Sequence, residues 1–114
     1  MSFSTDQVAE LKNLCPEVSE VKEADYTYVL LPGLNLPEGC SPARTDALLC
    51  PSPREGYVSR LFFSEKVKPG SGPEPNWNSN GVRIAGRNWH AYSWRTSPNL
   101  RLVQMVAAHL RALR

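Results

Sequence analysis

The sequence predicts an α+β domain in which a small antiparallel sheet lies between a short first helix and a stronger last one. Three observations carry that prediction. Apolar residues recur at helical spacing near both ends of the chain, β-branched and aromatic runs fill the middle, and short Pro/Gly-rich connections separate those runs. At 114 residues the chain is long enough for one modest core, and 1–114 is read as a single domain.

Ser4 and Gln7 form a capping-box pattern, and Val8, Leu11, Leu14 and Cys15 follow at helical spacing until Pro16. This predicts a helix over about 5–14. Residues 17–23 set Val18 and Val21 irregularly among charges, a weak strand at most. Tyr26 to Leu31 is the strongest strand pattern, stopped by Pro32-Gly33, and a turn-rich loop follows to Arg44. Asp46 to Cys50 reads as a short buried strand and Tyr57 to Phe63 as a third. Residues 66–80 make a long Pro/Gly/Asn-rich loop, of a length that in compact domains is functional or mobile. Val82 to Ala85 supplies a fourth strand or a brief extended piece. Ser97 as N-cap and Pro98 in the first turn open a helix over 98–113, whose stripe of Leu102, Val106 and Leu110 should face a four-strand meander.

Composition narrows the function classes. The net charge of +2 gives no general electrostatic case for nucleic acid, and the arginines are spread along the chain apart from Arg101, Arg111 and Arg114 on the last helix. No apolar run approaches the ~20 residues of a membrane span, and the first residues resemble no secretion signal. A cytoplasmic location is therefore expected. The three cysteines, Cys15, Cys40 and Cys50, are an odd number without metal-ligand spacing, and His90 and His109 stand apart from them. Reduced thiols, no metal and no cofactor are the expectation.

The densest feature is Gly86-Arg87-Asn88-Trp89-His90-Ala91-Tyr92-Ser93-Trp94-Arg95. So many aromatics predict a half-buried segment, placed where the sheet hands over to the last helix. Trp89, Tyr92 and Trp94 read either as a core edge or as a platform for a partner, flanked by Arg87 and Arg95. Trp77, set among polar and breaker residues of the long loop, is expected to face solvent as a contact.

Three pieces of the chain, covering roughly 26–113, carry a family resemblance. They are Tyr28-Val29-Leu30-Leu31-Pro32-Gly33 with Leu36-Pro37-Glu38-Gly39, Thr45-Asp46-Ala47-Leu48-Leu49 with Pro51 and Tyr57, and Gly86-Arg87-x-Trp89-x-x-Tyr92-Ser93. In their joint order the chain resembles the ubiquitin-conjugating-enzyme superfamily, and more closely its bacterial branch, prokaryotic family E. The resemblance implies a ubiquitin-conjugating-like component of a bacterial ubiquitin-like modification system. The partners it implies are a ubiquitin-like protein, an adenylating activating enzyme and a deconjugating metallopeptidase.

Those enzymes carry their cargo as a thioester on a cysteine just after the meander. The matching zone here, about Arg87 to Trp94, has no sulfur, and the His-Pro-Asn signature upstream is replaced by Asn78-Ser79-Asn80. Two substitutes offer themselves. Cys40, in a Gly-Ser-Pro loop, is expected to be exposed and is the best thiol nucleophile, since Cys15 and Cys50 sit at core positions. His90 and Ser93 would act as base and hydroxyl nucleophile if a tight turn brought them together. Transfer chemistry thus stays open, and the competing class is a non-catalytic interaction module or scaffold. For either class, the start of the last helix is the expected receiver of a ubiquitin-like carboxyl tail. No Gly-x-Ser-x-Gly elbow or phosphate loop supports another enzyme class.

Overall fold

The computed structural model describes residues 3–114 and is α+β. In chain order it has α1 (Thr5–Lys12), β1 (Ser19–Glu23), β2 (Tyr26–Asn35), β3 (Arg44–Cys50), β4 (Arg60–Phe63), β5 (Ser79–Ile84), β6 (Arg87–Ala91) and α2 (Leu102–Leu110), followed by a 3₁₀ turn over Arg111–Leu113. The sheet has six strands rather than four, ordered β1-β2-β3-β4-β6-β5, with every neighbouring pair antiparallel.

Both faces of the sheet's central strands are buried. Val29, Leu31, Ala47, Leu49, Leu61 and Phe63 pack against Leu11 of α1 and Leu102 and Val106 of α2. Their sequence neighbours Tyr28, Leu48, Cys50 and Phe62 join Ile84, Trp89 and Ala91 in a second cluster on the opposite face. Among the described residues no helix contributes to that cluster; the curl of the sheet covers it. The β5–β6 turn reaches the β1–β2 hairpin, where the Ala85 N–H donates to Glu23 Oε1 at 2.8 Å. The near-continuous apolar runs of β3 and β4 follow from this two-sided burial.

Local deviations from the expected elements have identifiable causes. Ser4 does cap α1, its hydroxyl accepting from the Gln7 N–H, but Gln7 does not complete the box. Its Oε1 instead accepts the Leu102 N–H at 2.7 Å and ties α1 to α2. β2 runs through Pro32-Gly33 to Asn35 because a bulge between Leu31 and Leu34 absorbs them, with Gly33 at φ 61° donating to Asp46 Oδ1. Ser97-Pro98 does not open the last helix. Asn99 turns left-handed at φ 61°, so α2 starts only at Leu102, with Gln104 Oε1 accepting the Arg101 N–H. Leu102 and Val106 face the sheet as expected, whereas Leu110 is half-buried and His109 takes the buried place.

Candidate functional site

The aromatic segment is a strand over its first half, not a loop. In β6, Arg87, Trp89 and Ala91 face the curled side, and Asn88 and His90 alternate with them. Trp89 is 1% exposed, its Nε1–H donating to Ile84 O at 3.1 Å, so this side chain plugs the core and offers a partner nothing. Arg87 lies over the Trp89 ring, 4.6 Å from its centroid, and donates to Asp46 Oδ2 at 3.0 Å. The Gly33 N–H, then the Arg87 guanidinium, hold the Asp46 carboxyl below its ordinary range.

Trp77 is half-buried rather than open to solvent. Its ring stands edge-on to Phe63 and Tyr92, at centroid distances of 5.8 and 5.1 Å. Its Nε1 is buried without a hydrogen-bond partner among the described residues. The long loop that carries it is also pinned at its start, since Ser41 and Lys68 exchange backbone hydrogen bonds at 2.9 and 2.8 Å.

The same pairing encloses Cys40, which is 7% exposed rather than open to solvent. Its thiol donates to Leu113 O at 3.5 Å, and burial pushes its pKa up. Cys15 and Cys50 are buried as well, and desolvation raises both thiols. Each thiol is therefore held in the protonated, non-nucleophilic form.

His90 and Ser93 are not a base–nucleophile pair in this geometry. His90 Nδ1 accepts the Gly81 N–H at 3.2 Å, which puts the proton of the neutral ring on Nε2. Ser93 Oγ instead accepts from the Tyr57 hydroxyl at 2.8 Å, and that hydroxyl accepts from Asn78 Nδ2 at 3.0 Å.

Tyr57 is the centre of a polar cluster that the sequence reading missed. Two guanidiniums approach its ring, Arg60 at 4.4 Å and Arg95 at 5.0 Å from the centroid. The hydrogen bond to Ser93, then that from Asn78 and the two cations, lower the Tyr57 pKa from its ordinary value. Arg60 is 1% exposed and donates to Asn78 Oδ1, Ser79 Oγ and Tyr92 O, with Glu55 Oε2 3.7 Å away. Arg95 is exposed and donates to Gly56 O at 3.0 Å. The signal available in sequence was a lone arginine inside the apolar run 60–63, which a buried strand tolerates only with dedicated acceptors.

Beyond Ser93 the chain lays Trp94 to Ser97 along α2. Trp94 is 37% exposed, and its Nε1–H is fixed on Ala108 O at 2.8 Å. An open groove of about 410 Å³ lies beside it, lined by Arg95 and Thr96 on one wall and by Gln104, Ala107 and Arg111 of α2 on the other. At the expected tail receiver, the start of α2, two amides are already taken: the Gln7 and Gln104 side chains accept from the Leu102 and Arg101 N–H groups.

Among the described residues no His/Cys/Asp/Glu group could hold a metal ion, and no helix is long and apolar enough to cross a membrane. No family model, curated protein or solved structure matches the chain. What the described residues bring together is an exposed indole, fixed by its hydrogen bond to α2, beside a groove lined by two guanidiniums, with the Tyr57–Arg60 cluster adjoining through Arg95.

Proposed function

We propose that this protein serves as a protein-binding scaffold of a ubiquitin-like modification system, without thiol carrier activity of its own. The observation behind the reading is the state of the thiols, all buried and all with raised pKa. A thioester carrier needs an exposed thiolate. The family assignment rests on the sequence resemblance, and so do its partners, a ubiquitin-like protein and an adenylating activating enzyme. Of the residues expected to touch a partner, Trp94 and Arg95 are the exposed pair beside a groove.

The test combines binding and chemistry. The protein is titrated calorimetrically with the ubiquitin-like partner and with its activating enzyme, then incubated with both and ATP. Binding without a reductant-sensitive adduct is the expected result. A thiol-cleavable adduct abolished by Cys40→Ala would overturn the scaffold reading, and absence of binding to either partner would overturn the system assignment.

A further inference from the structure

Charge is segregated along this chain in a way that its net value conceals. No acidic residue follows Glu74, yet six arginines do: Arg83, Arg87, Arg95, Arg101, Arg111 and Arg114. Folding neutralises two of them, since Arg87 pairs with Asp46 and Arg101 with Glu10. Arg95 and Arg111 form no ion pair among the described residues, and both line the groove beside Trp94, where no acid joins them. Arg95 donates to Gly56 O, and the neighbouring Glu55 is already shared by Arg54 at 3.1 Å and Arg60 at 3.7 Å.

We propose that this groove binds an extended acidic peptide segment of a partner protein, with carboxylates on Arg95 and Arg111 and an intervening apolar side chain against Trp94. Charge complementarity selects the carboxylates, because planar guanidiniums pair bidentately with them. The floor selects a peptide over a small anion. Ala107 and Ala108 let a backbone approach α2 closely, and Leu100 and the indole give an apolar side chain a surface. A phosphate would look for converging backbone amides as well, and at the start of α2 the Arg101 and Leu102 amides already donate to Gln104 and Gln7. The inference deepens the scaffold reading and rests on it, naming the chemistry of what is bound.

A short fluorescein-labelled peptide alternating glutamate and leucine is the probe, with its glutamine counterpart as control, both read by fluorescence anisotropy. The acidic peptide should bind, and Arg95→Gln and Arg111→Gln should each weaken it about fivefold or more, with thermal midpoints showing that both variants fold. Arg111 has no ion-pair partner among the described residues, so its variant keeps the test valid if Arg95→Gln destabilises the protein. Arg114→Gln, outside the groove, should leave binding unchanged. Binding should also vanish near ~1 M salt, where the screening length is about 3 Å.

Equal binding of the glutamine peptide, or binding indifferent to both groove variants, would overturn the proposal. So would full competition by inorganic phosphate at the peptide's own concentration, which would make this a small-anion site. Concentration-dependent self-association that Arg111→Gln abolishes would assign the groove to a second copy and overturn it too. The two readings fail separately. Acidic-peptide binding with no affinity for the ubiquitin-like protein or activating enzyme removes only the system assignment, whereas partner binding untouched by Arg95→Gln and Arg111→Gln removes only the groove.

Discussion

His109 Nε2 lies 2.9 Å from Ser59 Oγ inside the core, joining the last turn of α2 to the residue that precedes β4. The ring is 2% exposed, and the Tyr92 hydroxyl donates to its backbone carbonyl at 2.6 Å. Burial, then the nearby Arg60 cation, lower its pKa from the ordinary 6.5 to about 4. Among the described residues, a cation at this position has no carboxylate to pair with.

The pH dependence of stability follows with a definite sign. Between pH 6.5 and about 4 the unfolded chain binds a proton at His109 that the folded chain refuses. Stability from this group is therefore complete above pH 6.5 and is lost as pH falls toward 4, by on the order of 3 kcal/mol. Asp46, whose carboxyl is held below 3.8, loses its contribution only at lower pH. Urea unfolding at pH 7 and pH 4.5 measures the slope, and His109→Gln should flatten it; an unchanged slope in the variant would place the titration elsewhere.

Arg60 presents the opposite problem, a buried charge held mainly by neutral acceptors, with the Glu55 carboxylate 3.7 Å away. Its guanidinium serves Asn78, Ser79 and the Tyr92 carbonyl at once and so fastens β4 to the loop that enters β5. Lysine keeps the charge but not the planar fork, leaving part of a buried cation or its acceptors unpaired. Arg60→Lys is expected to cost about 3 kcal/mol at neutral pH. Thermal unfolding checks this, and a loss under about 1 kcal/mol would mean that water replaces the missing contacts.

What was legible in the sequence follows from which forces act locally. β2, β3 and β4 announce themselves in the runs 26–31, 46–50 and 57–63 because burial on both faces demands apolar residues, although β4 itself starts only at Arg60, after an exposed Val58. β1 hides, since its charged residues form an edge strand held by pairing with β2, from Ser19↔Leu30 to Glu23↔Tyr26. The β5–β6 hairpin hides because its turn is Ala85-Gly86, at φ 51° and 78°, instead of the Asn-Gly that signals such turns. Pro98 suited a first helical turn, but the left-handed Asn99 after it postponed the helix. Of the candidate site, Trp94 and Arg95 are exposed, while Cys40 and Trp89 are enclosed and Trp77 is half-buried by contacts from residues distant in the chain.

The Gln7 side chain spans 95 positions to take the Leu102 N–H, an orphan donor at the start of α2. Gln7→Ala should therefore destabilise the domain by about 1 kcal/mol. Gln7→Glu, which keeps an acceptor and adds negative charge at a helix start, should restore most of that loss. Hydrogen exchange at the Leu102 amide reads the contact directly. Equal protection in the wild type and the alanine variant would show that this bond does not hold the helix end.

Ser93 has a hydroxyl partner in Tyr57 and none in His90, and energetics distinguish the two pairings. If Tyr57 and Ser93 share the 2.8 Å hydrogen bond, Tyr57→Phe and Ser93→Ala should each cost about 1 kcal/mol. Their double variant should then cost less than the sum by a coupling of about 1 kcal/mol. His90→Ala removes a separate contact, the one to the Gly81 amide, so its effect should add to that of Ser93→Ala within about 0.5 kcal/mol. Chemical denaturation of the singles and both doubles completes the two cycles. Strong coupling between His90 and Ser93 would revive them as a base and a nucleophile. Additivity there, with coupling at Tyr57, leaves Ser93 as the hydroxyl that orients Tyr57 between the Arg60 and Arg95 guanidiniums.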